Sequence, residues 1–222
     1  MIESNHLDKT KTTNKITIMT KKLSTLLTIL FLLYGCASNK NIEQSQPIEY
    51  QSKEARINKV KKIQQWQING KIAFIQQNER ESASLFWLYD QSNEKQTLKL
   101  TTYLGINVLS LNSEKDIHAV EIDGENYQHE NLDQLIYSLT GLMLPTKALP
   151  YWLKGLAFSD NDLVVYNENS GLPSKLTSFY QGNEWQINYK KYQRVDEVNL
   201  AHQFTIKQNN LTIKIVLNQW KL

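Results

Sequence analysis

The chain has 222 residues, of which 41% are hydrophobic and 21% charged, and its formal net charge is +3 at pH 7. This composition indicates one globular domain and excludes an intrinsically disordered chain. Residues 1–35 contain five lysines and two acidic residues, so the remainder has 20 basic and 20 acidic residues, from totals of 25 and 22. Because no net positive charge remains, we do not expect a nucleic-acid-binding surface.

A hydrophobic run near the N-terminus predicts a signal peptide over residues 1–35. A Lys-Lys pair precedes the apolar run 23–33, which is too short to span a bilayer comfortably. Gly35, a small residue, lies after the run and directly before Cys36. Met19 lies directly ahead of this pattern. A start at Met19 would make residues 1–18 an upstream extension from a misassigned start codon.

The single cysteine of the chain, Cys36, follows the apolar run and has no second cysteine for a disulfide or a shared metal site. The tetrapeptide Leu33–Cys36 resembles a bacterial lipobox, in which the cysteine is acylated and becomes the new N-terminus after cleavage. Several acyl chains anchor a protein firmly, since each buried CH₂ contributes about 0.8 kcal/mol. In bacterial lipoproteins, an aspartate directly after the lipidated cysteine favours retention in the inner membrane. This chain has Ala37 at that position, which favours the outer membrane. We therefore expect a lipid anchor at Cys36, on the periplasmic face of the outer membrane.

Residues 36–53 are polar and without period, which favours a lipidated, flexible stalk ahead of a single domain over residues 54–222. Helical spacing predicts a short helix over residues 54–62. Most of the remaining chain alternates with period two, which predicts adjacent antiparallel strands with short connections. The predicted strands centre on residues 66–75, 83–89, 98–102, 106–111, 120–122, 163–166, 176–180, 185–189, 204–206 and 211–217.

A helical region interrupts this β-pattern. The leucines and isoleucine of residues 132–139 have the one-sided spacing of an amphipathic helix, with Asn131 as its N-cap and Gly141 at its end. Pro150 lacks a backbone donor and is predicted to separate a short turn from a second piece, Tyr151–Lys154. We expect these short helices to share one apolar side.

So many strands predict a strongly curved sheet or an incomplete barrel, and the helices are then expected to cover its end. Two alternatives stay open on the residues alone. The helices plug a filled core in the first, and they form a lid over an apolar cavity in the second.

The sequence contains no recognisable catalytic or metal-binding motif. The histidines His118, His129 and His202 lack the close spacing of a zinc motif, and no acid-rich loop resembles a calcium site. The glycines form no phosphate-cradling cluster, and no serine has a nucleophile-elbow context. This pattern favours binding over catalysis, so we assign no catalytic residue, no metal and no cofactor.

Several stretches together resemble the LolB family, over nearly all of the mature chain. They are Leu98–Gly105, the Thr-Gly, Leu-Pro and Trp-Leu-Lys-Gly-Leu motifs within Leu139–Leu156, the pair Phe86-Trp87, and the terminal Trp220. In that family, an outer-membrane lipoprotein receives other lipoproteins from the periplasmic carrier LolA and inserts them into the membrane. The resemblance implies a non-enzymatic monomer whose partners are LolA, lipoprotein cargo with its acyl chains, and outer-membrane lipid.

The resemblance also implies an α+β fold, mostly antiparallel β: an incomplete, strongly curved barrel with a lid of short helices over a hydrophobic cavity. It favours the cavity over the filled core. The expected acyl-cavity residues are Phe74, Leu85, Trp87, Leu100, Leu135, Leu139, Trp152, Leu153, Ile187 and Ile213.

Tyr103, Leu104 and Gly105 occupy the turn between two predicted strands, where polar residues are usual. In the LolB family the matching leucine projects into solvent and is needed for inserting cargo into lipid, so the resemblance marks these residues as a membrane-insertion loop. Tyr103 stands where the family commonly has proline, and Pro150 stands where it often has a helix former. The alternative function is a structural or assembly lipoprotein, with a filled core, that binds another outer-membrane protein through its sheet.

Overall fold

The computed structural model of the protein describes residues 52–77 and 79–222. The predicted signal peptide, the upstream extension, Cys36 and most of the predicted stalk lie outside the described residues. Helix α1 spans Lys53–Lys61, starting one residue before the predicted domain boundary. Its N-cap is Ser52, whose Oγ accepts a hydrogen bond from the Ala55 amide at 3.2 Å. The predicted helix after the stalk is thus confirmed.

Eleven strands and two further helices follow within the described residues. The strands before the helical region are β1 to β6, namely Gln65–Gln76, Glu79–Asp90, Lys95–Thr101, Asn107–Glu114, Ile117–Ile122 and Glu125–His129. The helices are α2, Leu132–Thr140, and α3, Leu149–Leu153. The strands after them are β7 to β11, namely Leu163–Tyr166, Pro173–Tyr180, Asn183–Val195, Val198–Gln208 and Leu211–Lys221.

The eleven described strands form one antiparallel sheet in the order β6-β5-β4-β3-β2-β1-β11-β10-β9-β8-β7. The sheet is strongly curved and does not close, so β6 and β7 are its edges. The segment that joins these two edges contains α2 and α3. The fold-class prediction is confirmed.

The alternation of side chains explains how the sheet makes an inside and an outside. On β11, Ile213, Ile215 and Leu217 are buried on the inner face, whereas Lys214 and Val216 are exposed on the outer face. Between β1 and β11 the register shifts at Gly70, where a Cβ atom would lie only 2.2 Å from the Val216 carbonyl oxygen. Glycine permits this close approach of the two backbones, and larger residues do not.

Helix α2 has the predicted ends. The Asn131 side chain accepts a hydrogen bond from the Gln134 amide at 3.0 Å, and Gly141 has φ of 69° with its amide bonded to the Tyr137 carbonyl. The prediction for α3 was wrong, because Pro150 lies in its first turn instead of interrupting it. Proline is tolerated there, since the first-turn amides have no partner within the helix.

Strand β6 was missed by the sequence analysis. All five of its side chains are exposed, so it carries no hydrophobic alternation, and only its pairing with β5 makes it a strand. This pairing places His118 opposite His129, two residues that are distant in sequence.

Two apolar clusters lie on the concave side of the sheet. The larger one lies under α1 and α3 and includes Trp152, Trp185, Ile187 and Leu200; we call this region the packed half. The smaller one joins α2 to strands β4 and β5 through the buried residues Leu109, Leu111, Val120, Leu132, Leu135 and Ile136. We call this second region, together with the open cavity between it and the β1, β2 and β11 side of the larger cluster, the hollow half.

Candidate apolar cavity

An apolar cavity of about 360 Å³ lies between α2 and the inner face of strands β1–β5 and β11. Its volume is within the range of about 300–1,000 Å³ that is usual for ligand pockets. Four of its lining residues are polar, and the others are aliphatic or aromatic. The polar four are Glu81, Gln96, Thr140 and Thr146.

Strand register builds the wall of this cavity. Leu100 on β3 lies opposite Leu85 on β2 and Leu109 on β4, so three leucines from neighbouring strands face the interior side by side. Helix α2 adds Ile136 and Leu139 from its apolar stripe. The wall therefore follows directly from period-two strands facing a period-3.6 helix.

The cavity opens at one end of the sheet. Its exposed lining residues are Glu81 near the β1–β2 turn, Val108 near the β3–β4 turn, and Thr140 at the C-terminal end of α2. Glu81 and Val108 lie at the same end of the sheet, because β2 and β4 both begin there, and Thr140 lines the cavity together with them. A ligand would enter between the two turns and α2.

The β3–β4 turn projects apolar side chains into solvent at this end. Tyr103, Leu104 and Ile106 are 95%, 81% and 63% exposed. The turn is closed by the Gly105 amide bonding to the Thr102 carbonyl at 3.0 Å and by the Thr102 amide bonding to the Ile106 carbonyl at 2.8 Å. Gly105 has φ of 81°, which favours glycine. The tip thus does not fold back onto the barrel.

Six of the ten predicted cavity residues line the cavity. They are Phe74, Leu85, Trp87, Leu100, Leu139 and Ile213. The other lining residues of α2, β4 and β5 were not among the predicted ones, although hydrophobic alternation and helical spacing mark them as apolar positions. The missed set includes Leu109, Leu111, Ile122, Leu132 and Ile136.

The other four predicted cavity residues, Leu135, Trp152, Leu153 and Ile187, do not line it, and their assignment needs correction. All are buried against protein, with at most 5% of their surface exposed. Trp152 packs against Trp185, with ring centroids 6.0 Å apart, so the C-terminal part of α3 lies on the packed half, whereas Leu149 at its start lines the cavity. Leu135 lies on α2 but belongs to its contact with the β4–β5 cluster.

Asp133 ties α2 to the far side of the sheet. Its carboxylate accepts hydrogen bonds from the Tyr180 hydroxyl and the Gln181 amide group, both at 2.8 Å, and also from the amide and hydroxyl of Thr146. Burial raises the pKa of Tyr180, and the hydrogen bond to Asp133 raises it further. Since Thr146 lines the cavity, this network fixes one part of the wall.

The packed half contains a carboxylate with several donors. Asp162 accepts from the Ser178 hydroxyl at 2.6 Å, the Ser159 hydroxyl at 2.8 Å and the Trp152 indole at 3.3 Å. Burial disfavours the charged carboxylate, but hydrogen bonds from Ser178, from the Phe158 amide and from Ser159 more than offset this. The pKa of Asp162 therefore lies below its usual value. The network fixes α3 to β8.

Two buried cations hold α1 and α3 together. Arg56 donates to the Lys154 carbonyl at 2.8 Å, and Lys154 Nζ donates to the Ile63 carbonyl at 2.8 Å. Both residues are at most 3% exposed. Burial lowers the pKa of Arg56, and it lowers the pKa of Lys154 to about 8.

Among residues 52–77 and 79–222, no group of three or more His, Cys, Asp or Glu side chains is placed to hold a metal ion. His118 and His129 are cross-strand neighbours, and His202 is buried in β10. Within the same residues, no helix is both long and apolar enough to cross a membrane.

Sequence comparison decides the family. The family model described as outer membrane lipoprotein LolB matches residues 64–220. The chain belongs to the LolB family. An outer-membrane lipoprotein LolB from Shewanella woodyi is 30% identical over 94% of this chain and 93% of its own length. A second, from Aeromonas salmonicida, is 31% identical over 87% of this chain and 93% of its own length.

Solved structures show the same architecture in more distant proteins. A LolA superfamily protein from Nitrosomonas europaea matches with a TM-score of 0.50 at 10% identity, over 78% of this chain and 94% of its own. A DUF1329 family protein from Desulfovibrio piger matches with a TM-score of 0.53 at 6% identity, over 76% and 90%. At these identities the likeness shows that this chain shares the fold of these proteins, and no more.

Proposed function

We propose that this LolB family protein is an outer-membrane-anchored receptor that accepts lipoproteins from the periplasmic carrier LolA and inserts them into the outer membrane. The observation that carries the proposal is the apolar cavity, which opens beside an exposed apolar turn at Tyr103 and Leu104. The names of the family and of its relatives support the outer-membrane address.

The cavity suits the acyl chains of a lipoprotein cargo. An acyl chain is a string of methylenes, and each one moved from water to apolar surroundings contributes about 0.8 kcal/mol. The long wall of mostly aliphatic and aromatic side chains offers such surroundings along most of the cavity. Transfer then needs no energy source at this protein, because the chains move from one apolar site to a more favourable one and finally into the bilayer.

The exposed turn is the element that meets the membrane. Burying one leucine in an apolar phase contributes roughly 1.5–3 kcal/mol, which is enough to bias the cavity opening toward the bilayer and too little to anchor the domain. Leu104 therefore acts in release, while the cavity acts in uptake. The anchor is a separate element, the lipid proposed at Cys36, which keeps the receptor at its membrane.

We propose no catalytic role. A filled core, on which the alternative of a structural or assembly lipoprotein depends, does not match the cavity next to α2. The protein acts as a monomer in this scheme, because one cavity and one turn provide both uptake and release.

The test uses a soluble Cys36→Ala form of the mature chain and compares its binding of acylated and non-acylated cargo. We expect this form to retain an acylated lipoprotein and not the same lipoprotein without its acyl chains. Ile136→Trp, which places an indole in the cavity, is expected to reduce retention while circular dichroism shows an unchanged fold. Equal retention of acylated and non-acylated cargo would refute the acyl-cavity function.

A further inference from the structure

The convex face of the sheet carries an unusual set of charges. Six cationic side chains lie in three cross-strand rows on the outward side of β1, β2 and β8–β11, and no described acidic residue stands in those rows. We call them the basic face. They are Lys71, Arg80, Lys175, Lys190, Lys207 and Lys214.

Strand register places these residues in successive rows. In the first row, Lys71 is followed across the strands by Val216, Gln203 and Lys190. The second row contains Lys214 and Lys175, separated by Thr205 and Asn188. The third contains Arg80 and Lys207, separated by Ile75 and Thr212. The residues between the cations are uncharged in every row.

No ion pair found between described residues involves this face. The two ion pairs found between described residues join Lys59 to Glu197 and Lys95 to Glu114, and neither involves the basic face. The compensating acids lie elsewhere, since residues 114–130 contain six acidic residues and one lysine. A chain with balanced charge after residue 35 has thus separated its charges by region.

The composition of the face decides between two kinds of partner. Protein interfaces are depleted in lysine and depend on aromatic or arginine residues set in pockets. The basic face has five lysines, a single arginine and no aromatic residue within its three rows. A lysine is a flexible point charge, which suits a diffuse anionic surface such as a layer of phospholipid headgroups.

Its position also favours a membrane. Thr101, at the base of the β3–β4 turn, lies opposite Ser84, which in turn lies opposite Lys71. The exposed turn therefore leaves the sheet at the border of the basic face. Arg80 is close to the β1–β2 turn, at the end where the cavity opens.

We infer that the basic face binds anionic phospholipid headgroups and so orients the cavity opening beside the bilayer. This inference rests on the proposed delivery function for the presence of a membrane, and it adds a lipid class and a surface. Each lysine close to an anionic membrane is expected to strengthen its association about fivefold, with an effect that salt weakens.

Lysine footprinting tests this directly and needs no cargo. The mature protein is reconstituted in phosphatidylcholine vesicles or in vesicles with about a third phosphatidylglycerol, and each lysine's reaction with an amine-acetylating reagent is measured by mass spectrometry. We expect severalfold protection of the basic-face lysines in the anionic vesicles alone, lost at high salt. Lys61, Lys115 and Lys147, exposed lysines outside the face, are the internal controls.

Equal labelling in both vesicle types would overturn the inference, and it would leave the acyl-cavity function standing, because that is tested by cargo retention. Protection that requires an added acidic protein and not anionic lipid would overturn it in favour of a protein partner.

A matched pair of variants adds a functional measurement. Replacing Lys71, Lys190, Lys207 and Lys214 by glutamine is expected to remove any acceleration of cargo release by anionic lipid, without changing cargo retention. The control replaces four lysines outside the face and changes net charge equally. It carries Lys61→Gln, Lys62→Gln, Lys115→Gln and Lys147→Gln. Loss of the anionic-lipid effect in both variants would attribute it to net charge and contradict the face.

Discussion

The packed and hollow halves share one sheet and one alternating pattern, yet one is filled and the other is open. In the packed half, Trp152 and Trp185 fill the space beneath α3, and Asp162 fixes the Trp152 indole in place. In the hollow half, α2 supplies aliphatic side chains such as Ile136 and Leu139, which leave a cavity of about 360 Å³.

Alternation therefore specifies an inner face but not whether that face is filled. In the first region, large aromatic side chains that are buried and held by hydrogen bonds pack against one another. The second region has side chains of similar polarity but smaller volume, and its helix is tied through Asp133 near the edge of the cavity. A domain can thus be stabilised by one half and bind ligand with the other.

The largest expected effect is a contrast between two leucines of the two halves. Leu176→Ala in the packed half is expected to lower the free energy of unfolding by about 3–5 kcal/mol, since it removes contacts on all sides. Leu100→Ala in the cavity wall is expected to cost only about 1–2 kcal/mol, because its side chain already faces empty space. Urea unfolding measures both, and equal losses would mean that the halves do not differ in packing.

A charge in the cavity is expected to act on binding. Leu139→Glu should weaken the binding of a fluorescent fatty-acyl probe at least about tenfold, because an apolar contact worth roughly 1.5–3 kcal/mol is lost and a carboxylate faces the acyl chain. Leu139→Met keeps the volume and is the control. Leu153→Glu, from the packed half, is expected to unfold the domain instead, as judged by circular dichroism. Normal probe binding by Leu139→Glu would place the acyl site elsewhere.

The buried Lys154 is expected to make the packed half pH-dependent. Its pKa is lowered to about 8 in the folded state, so between that value and its unfolded pKa the unfolded chain binds more protons. The free energy of unfolding should therefore rise as pH increases from about 8 to 10, by about 1–2 kcal/mol after allowance for solvent screening. In Lys154→Met this rise should disappear, so the free energy of unfolding should differ less between pH 7 and pH 10 than it does in the wild type. An unchanged pH profile in that variant would show that Lys154 is not the group responsible.

The smallest effect on the domain itself is expected at the exposed turn. Leu104→Glu should change the free energy of unfolding by less than about 0.5 kcal/mol and leave cargo retention intact, because its side chain contacts solvent. Release of cargo into liposomes should nevertheless fall clearly below the wild-type rate.

Ile117→Glu is the matched control for that variant, since Ile117 is 56% exposed on β5, at the β4–β5 end of the sheet and outside the three rows of the basic face. It should release cargo normally. Unfolding of the Leu104 variant, or normal delivery by it, would make Leu104 an ordinary surface residue.

Local sequence patterns determined most of the architecture. Ten of the eleven described strands carry hydrophobic alternation, and α2 has its N-cap at Asn131 and its positive-φ residue at Gly141. These features are visible because each depends on neighbours within a few positions along the chain. Strand β6 escaped detection because its exposed side chains have no alternation to show.

Local periodicity and turn chemistry thus predict ten of the eleven described strands, the helical interruption and the apolar turn at Leu104. Which apolar residues line a cavity and which fill a core depends on how distant parts of the chain pack together. Trp152 and Leu139 look alike as apolar positions on helices, but Trp152 packs against Trp185 while Leu139 faces open space. The basic face likewise exists only in three dimensions, because strand pairing brings together cations from Lys71 to Lys214 that lie far apart along the chain.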